Sequence, residues 1–250
     1  DVRIVGPIVA VWVLVFMMPL FLWVPDRGGR GLPPARAVAR GLGSLATSLR
    51  RLATRPDHRV IARFLFARMI YTDGINTLFA FGGLYAATTF GMTVDQVIMF
   101  GILLNLTAGA GAFAFGWIDD RVGARATVLI GLGAITAVGV PLLLITSTTW
   151  FWILGALLGV FFGPVQSASR SLMARFTPPE TATEMFGLYA FSGKATAFVG
   201  PWLVGLVTAL TASQRWGLAT VIPFLVVGGL LLWTLPADAV RRPGDDGDRE

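Results

Sequence analysis

The chain has 250 residues, of which 55% are hydrophobic and only 14% charged, with a mean hydropathy of +0.71; soluble domains carry roughly a quarter charged residues, so a water-soluble globular fold is excluded. The net charge of +6 is almost entirely arginine, with Lys194 the only lysine, and in so apolar a chain this reports membrane topology rather than nucleic-acid binding. Cysteine is absent and His58 is the single histidine, which excludes disulfides, thiol chemistry and Cys- or His-rich metal sites.

At about 20 apolar residues per membrane crossing, the chain has room for about seven helices and little else. The first span covers Ile4 to Val24, uncharged and of bilayer length. It lacks the basic flank and cleavage site of a signal peptide. The chain opens at Asp1 without an initiator Met, almost directly inside this run, which is the expectation for a fragment of a longer protein. Residues 25–61 form a basic connector with eight arginines against two aspartates, Asp26 and Asp57, and are expected on the cytoplasmic side. Within it Val38, Leu42, Leu45, Leu49 and Leu52 recur at helical spacing, with Arg36, Arg40, Arg50 and Arg51 mostly off that face. That pattern predicts an amphipathic helix at the membrane interface or under the bundle.

Six further spans are expected near 62–88, 95–118, 126–146, 150–169, 184–210 and 217–235. Thr93 with Gln96, and Thr181 with Glu184, fit the capping box that satisfies free amides at a helix start. Pro178-Pro179 ends whatever precedes the second of these. Arg121 and Arg125, Arg170 and Arg175, and Arg241 and Arg242 alternate with a side that holds only Arg3 and Arg215. The bias predicts an outside N-terminus and a cytoplasmic C-terminus, with a disordered tail over 237–250.

An ionisable residue inside a span is costly and marks a functional candidate. Asp73 lies in RMIYTDGINTLFAFGG, beside Tyr71, Asn76 and Thr77, and Lys194 lies in FGLYAFSGKATAFVGPW. At about 1.5 Å rise per residue both sit on the order of 15 Å into the membrane from the cytoplasmic side. They are expected to face one cavity as a charge pair, or separately to make a helix-to-helix hydrogen bond and to reach back to the interface. Tyr71, Asn76 and Gln166 complete the candidate substrate and proton pathway. Arg68, nearer the cytoplasmic end, is expected to snorkel. Gly155, Gly159 and Gly163 form a ridge for close helix approach, and Pro164 and Pro201 invite breaks or kinks.

The loop after the third span reads GWIDDRVGAR, in which Gly116, Asp120, Arg121, Gly123 and Arg125 fit G-x-x-x-D-R-x-G-x-R. Gly116 would let helices touch, Asp120 would accept hydrogen bonds from a helix N-terminus, Gly123 would supply a tight turn, and the arginines would anchor to lipid phosphate or acidic partners. This pattern resembles the signature loop of the major facilitator superfamily, with Ala124 where that pattern has a basic residue. ARMIYTDGINTLFAFGG and GPVQSASRSLMARFTPPETATEMFGLYAFSGK resemble the vacuolar amino-acid effluxer-like, autophagy-associated branch.

The resemblance implies an all-α membrane protein of seven transmembrane helices, being helix six plus the C-terminal six-helix half (62–236) of a major facilitator fold. It implies proton-coupled or facilitated movement of a small solute, amino acids in fungal relatives, by alternating access in the cell membrane. Asp120 would brace a neighbouring helix end and hold a gate. The implied partners are the small-molecule substrate, the lipid bilayer and the missing N-terminal half, with no nucleic acid and no cofactor. A seven-helix retinal-type receptor or pump using Lys194 is the competing reading, although such a lysine belongs in the last helix. No H-E-x-x-H or G-x-S-x-G motif supports a membrane enzyme.

Overall fold

The computed structural model describes residues 4–23, 33, 36, 41, 43, 47, 59–177 and 181–235. The apolar stripe at Val38, Leu42, Leu45, Leu49 and Leu52, together with Arg40, Arg50, Arg51, His58, Pro178-Pro179, Arg241, Arg242 and the tail, lies outside them. The chain divides into two units, Asp1–Ser44 and Leu45–Glu250. In the first, α1 spans Val5–Trp23, an uncharged helix of 19 residues. At about 1.5 Å per residue it matches the roughly 30 Å hydrocarbon layer.

The second unit is a helical bundle. Its elements are α2 (Arg59–Phe90), α3 (Val94–Val122), α4 (Ala124–Leu144), α5 (Thr148–Phe176), α6 (Ala182–Ser192), α7 (Val199–Thr211), α8 (Gln214–Ala219) and α9 (Val221–Trp233). Among the described residues α1, α3, α4, α5 and the stretch Gln214–Trp233 are long and apolar enough to cross a membrane. The 32-residue α2 has the length but carries Arg63, Arg68 and Asp73. No strand occurs among the described residues. This is an all-α membrane protein.

Local chemistry sets several of these boundaries. Thr93 closes the expected capping box, its Oγ1 accepting from the Gln96 N–H while Gln96 Oε1 accepts from the Thr93 N–H at 3.0 Å. At the second expected box Thr181 does stand at the N-cap, but in a different backbone conformation (φ −109°, ψ 7°) and without a side-chain bond to the helix amides. Ala212, at φ 50°, turns the chain from α7 into α8.

The signature stretch is not the open loop that its sequence suggests. α3 continues through Val122, so Gly116, Asp120 and Arg121 lie on helix, and Gly123 alone separates α3 from α4. Gly123 holds φ 88°, a left-handed conformation that a side chain would strain, and its N–H bonds Asp119 O at 2.9 Å. Gly116 faces open space, where an added Cβ would meet nothing. Asp120 and Arg121 are exposed, and it is Asp119 that pairs with Arg175 on α5, at 3.7 Å. Arg125 donates to the Leu232 and Trp233 carbonyls at the C-terminus of α9, where a cation meets the negative end of the helix dipole.

Lipid tails are as apolar as leucine, so bundles like this one hold together by close packing rather than by hydrophobic burial between helices. The glycine ridge of α5 meets α3 in that way. A Cβ on Gly163 would strike Ala108 O, one on Gly159 would strike Thr107 Oγ1, and one on Gly155 would enter the Phe100 ring. Gly111 on α3 returns the contact against the Val160 backbone. A second close crossing joins α2 to α9, where a Cβ on Gly228 would sit 2.6 Å from Tyr71 Cβ and one on Gly74 2.8 Å from Phe224 Cβ. Phe90, Phe100 and Phe151 stack at one end of the bundle, with centroids 4.5 and 4.8 Å from Phe151.

Replacing Gly163 by valine should therefore cost about 1–3 kcal/mol or more through overpacking, while Gly133→Ala, where a Cβ meets nothing within 4 Å, should leave stability unchanged within about 1 kcal/mol. Thermal melts of the purified protein in detergent would show the contrast.

Candidate binding cavity at a broken helix

The span expected at 184–210 does not form one helix. α6 stops at Ser192, residues 193–198 turn tightly, and α7 begins at Val199. Short-range bonds run through the break: Ala195 N–H to Phe191 O at 2.9 Å, Ala197 N–H to Lys194 O at 3.2 Å and Val199 N–H to Thr196 O at 2.8 Å. Pro201 supplies the reason. Inside a continuous helix its ring would crowd the Ala197 carbonyl and offer it no N–H. A fresh start at Val199 puts Pro201 in the first turn, where no intrahelical N–H is required. Pro164, by contrast, is carried within an uninterrupted α5.

Breaking a helix exposes two opposed dipole ends, and α2 answers both. Arg68 Nη1 donates to Tyr189 O at 2.8 Å and to Ser192 Oγ at 2.9 Å, in the last turn of α6. Its guanidinium lies over the Tyr189 ring, 3.6 Å from the centroid. Five residues along α2, Asp73 Oδ2 accepts the Gly200 N–H at 3.1 Å, in the first turn of α7. Between them Thr196 Oγ1 donates to Met69 O at 3.4 Å. A cation thus sits at the C-terminus of α6 and an anion at the N-terminus of α7. Arg68 is turned into the protein rather than back toward the interface, because the last carbonyls of α6 need a donor. Two glycines make the approach possible: a Cβ on Gly193 would come within 2.8 Å of Arg68 Nη1, and one on Gly200 would strike Thr77 Oγ1.

Asp73 is only 2% exposed and Thr77 1%. Among the described residues Asp73 Oδ1 and Thr77 Oγ1 are buried without a hydrogen-bond partner. The Asp73–Lys194 charge pair does not form. The ion pair among the described residues joins Arg175 to Asp119, and the Asp73 carboxylate faces the α7 N-terminus instead.

Beside the break a cavity of about 370 Å³ opens between α2, α5 and α6, and Tyr71, Asn76, Gln166 and Lys194 all line it. Asp73 does not. Arg68, Thr72, Ser169, Arg170 and Tyr189 complete the polar part of the wall, and Ile75 and Val165 supply apolar surface. The Ser169 hydroxyl donates to Val165 O, so its contact with Tyr71 Oη at 2.7 Å is donated by the tyrosine. Asn76, Gln166, Arg170 and Lys194 are exposed toward the open side. The volume falls in the small-molecule range, roughly 300–1,000 Å³. Sequence reasoning passed over Arg68 and Arg170 as interface charges. Only the break and the depth of the cavity, neither written in hydropathy, show what Arg68 faces.

Asp73→Ala should expose the Gly200 amide, with local exchange protection falling by about 1–3 kcal/mol, the usual cost of a lost buried bond. Asp73→Asn, which keeps an acceptor for the Gly200 amide but removes the charge, should fall between the parent and Asp73→Ala. Hydrogen-exchange mass spectrometry over residues 193–201 reads both.

Comparison with known proteins agrees with this architecture. The family described as "Vacuole effluxer Atg22 like" matches residues 1–244. An uncharacterized MFS-type transporter, YxiO, of Bacillus subtilis is 25% identical over 231 residues, covering 92% of this chain and 53% of the relative. Autophagy-related protein 22 of Cryptococcus neoformans is 26% identical over 251 residues, covering 93% and 44%, and that of Coccidioides immitis is 27% identical over 233 residues, covering 83% and 38%. The chain spans about half the length, or less, of these relatives. Lys194 lies in the break of α6 and α7 rather than in a last helix, and the Bacillus subtilis relative is a transporter by name, so the pigment alternative is not favoured. The chain belongs to the Atg22-like vacuole effluxer family of major facilitator transporters.

Proposed function

We propose that the chain forms the C-terminal six-helix half, with one further helix, of a secondary transporter that moves a small solute, amino acids among them, by alternating access. The single observation that carries this reading is the broken helix beside a solvent-open polar cavity. Discontinuous helices, whose half-helix ends face the site, are the recurrent device of secondary transporters at their substrate sites. Family membership agrees with transport and gives no sign of enzymatic chemistry. The half described here would work against a second half of similar size, since rocking of two halves is what exposes a central site to alternate sides. The arginine bias favours placing the Gly123 turn at the cytoplasmic face of the membrane. There the Asp119–Arg175 pair and the Arg125 cap of α9 would hold helix ends together, in place of Asp120.

Proton coupling is assigned to Asp73. Its Oδ2 is committed to Gly200 while Oδ1 has no partner among the described residues. A proton taken up on Oδ1 would remove the anion from the α7 N-terminus and loosen the clamp on the break. Proton binding and a shift of α7 would then be one event.

Reconstituted in liposomes together with the second half in one polypeptide, the protein should exchange labelled amino acids in counterflow and accumulate them under a pH gradient. Asp73→Asn should keep counterflow but lose gradient-driven accumulation by tenfold or more, roughly the share of a coupling worth about 1.4 kcal/mol or above. Full gradient-driven accumulation in Asp73→Asn would remove the proton-carrier role, and absence of any solute exchange would remove the transport reading.

A further inference from the structure

The cavity wall has a charge imbalance that its scaffold explains only at Arg68. Of its lining residues Arg68, Arg170 and Lys194 are cationic, and none is acidic. Asp73, a carboxylate beside the break, is turned to the α7 amide and does not line the cavity. Arg68 is fixed in place by its two Nη1 bonds and by the Tyr189 ring, and its Nε is buried with no acceptor among the described residues. Lys194 makes no ion pair among those residues and is exposed at the cavity. Positive charges converging on a cleft with low-dielectric walls attract an anion, and leaving them uncompensated inside a membrane is unfavourable.

We propose that this cavity recognises its solute by a carboxylate, held on the side of Lys194 and Arg68, with Arg170 at the entrance. This rests on reading the cavity as the substrate site and goes further by naming the group that enters it. Tyr71, Asn76 and Gln166 carry no charge, so the wall offers hydrogen bonds but no counter-charge to an ammonium group. A solute bearing both charges would present its carboxylate to this half and its amine elsewhere.

The test pairs each carboxylate with its neutral amide: L-leucine with L-leucinamide, 4-methylpentanoate with 4-methylpentanamide, and succinate with succinamide. Ligand-induced thermal shifts of the purified protein in detergent should appear for at least one carboxylate and not for its amide. Lys194→Gln, which touches no scaffold bond, should weaken that ligand by roughly tenfold or more, as expected for loss of a charge-assisted contact, while leaving the unliganded melting temperature unchanged. Arg68→Gln should weaken it at least as much, with Arg68→Lys recovering part of the affinity.

Equal shifts from amide and carboxylate, no shift from any carboxylate, a shift from inorganic phosphate alone, or an unchanged ligand response in Lys194→Gln would each overturn the assignment. The transport reading fails separately. Leucine counterflow that leucinamide competes equally well and Lys194→Gln leaves intact removes the carboxylate assignment and keeps amino-acid transport. A 4-methylpentanoate shift without leucine exchange keeps the carboxylate site and removes amino acids as the cargo.

Discussion

A helix interrupted within the membrane carries two unsatisfied ends, and here both are met from a single neighbour. Unpaired carbonyls at the end of α6 and unpaired amides at the start of α7 are costly where water is scarce. Arg68 and Asp73 lie five residues apart on α2 and reach those two ends with charges of the sign each dipole requires. The arrangement explains why two ionisable residues persist in a membrane helix without pairing to each other. Each instead bonds a backbone group at a helix end, Tyr189 O for Arg68 and the Gly200 N–H for Asp73. The same arrangement sets the site, because holding the break against α2 creates the cavity lined by Lys194 and Gly193 on one side and Tyr71 and Asn76 on the other.

The rest of the bundle is joined by a different kind of contact. α3 and α5 meet through glycines that bring one helix onto the backbone of the other, and α2 meets α9 through Gly74 and Gly228. Such contacts have no slack, since even one methyl group would displace a carbonyl or a neighbouring side chain. The break is tied instead by a few directional bonds to Tyr189, Ser192, Thr196 and Gly200. Bonds of that kind can be exchanged for others, or released by a proton, at a cost of about 1–3 kcal/mol each. Close packing therefore supplies a stiff frame, and hydrogen bonding supplies the part able to change.

Much of the frame was legible in the sequence. Apolar runs of bilayer length place most helices, Thr93 and Gln96 mark a true cap, and the spacing of Gly155, Gly159 and Gly163 announces a close helix approach, though not that α3 makes it. The site was legible only in its inventory. Asp73, Tyr71, Asn76, Gln166 and Lys194 stand out as polar residues in apolar surroundings, but hydropathy does not tell which way a side chain turns. Asp73 and Lys194 share a depth and still do not meet, because the partner of Asp73 is an amide 127 positions away that is free only once the helix has broken. Asp119 and Asp120 show the same limit on a smaller scale. Successive residues on a helix point about 100° apart, so one reaches Arg175 and the other faces outward, although the motif pattern singles out Asp120. The break itself is signalled by Pro201, but Pro164 carries the same signal and sits inside a continuous helix. The difference lies in what surrounds each residue.

The dominance of arginine over lysine then has a structural meaning beyond topology. Arg68 donates to Tyr189 O, Arg125 to Leu232 O and Trp233 O, and Arg215 to Ile145 O at the end of α4. Each closes a helix C-terminus, a task suited to a planar group with several donors in fixed directions. An ammonium ion has the charge but not the fork. Lys194 stands at the break without such a task and makes no ion pair among the described residues. That leaves a flexible point charge, not engaged by the scaffold, exposed at a cavity already edged by Arg68. Arginines fix helix ends here, and the one lysine lies where the chain leaves a charge uncommitted.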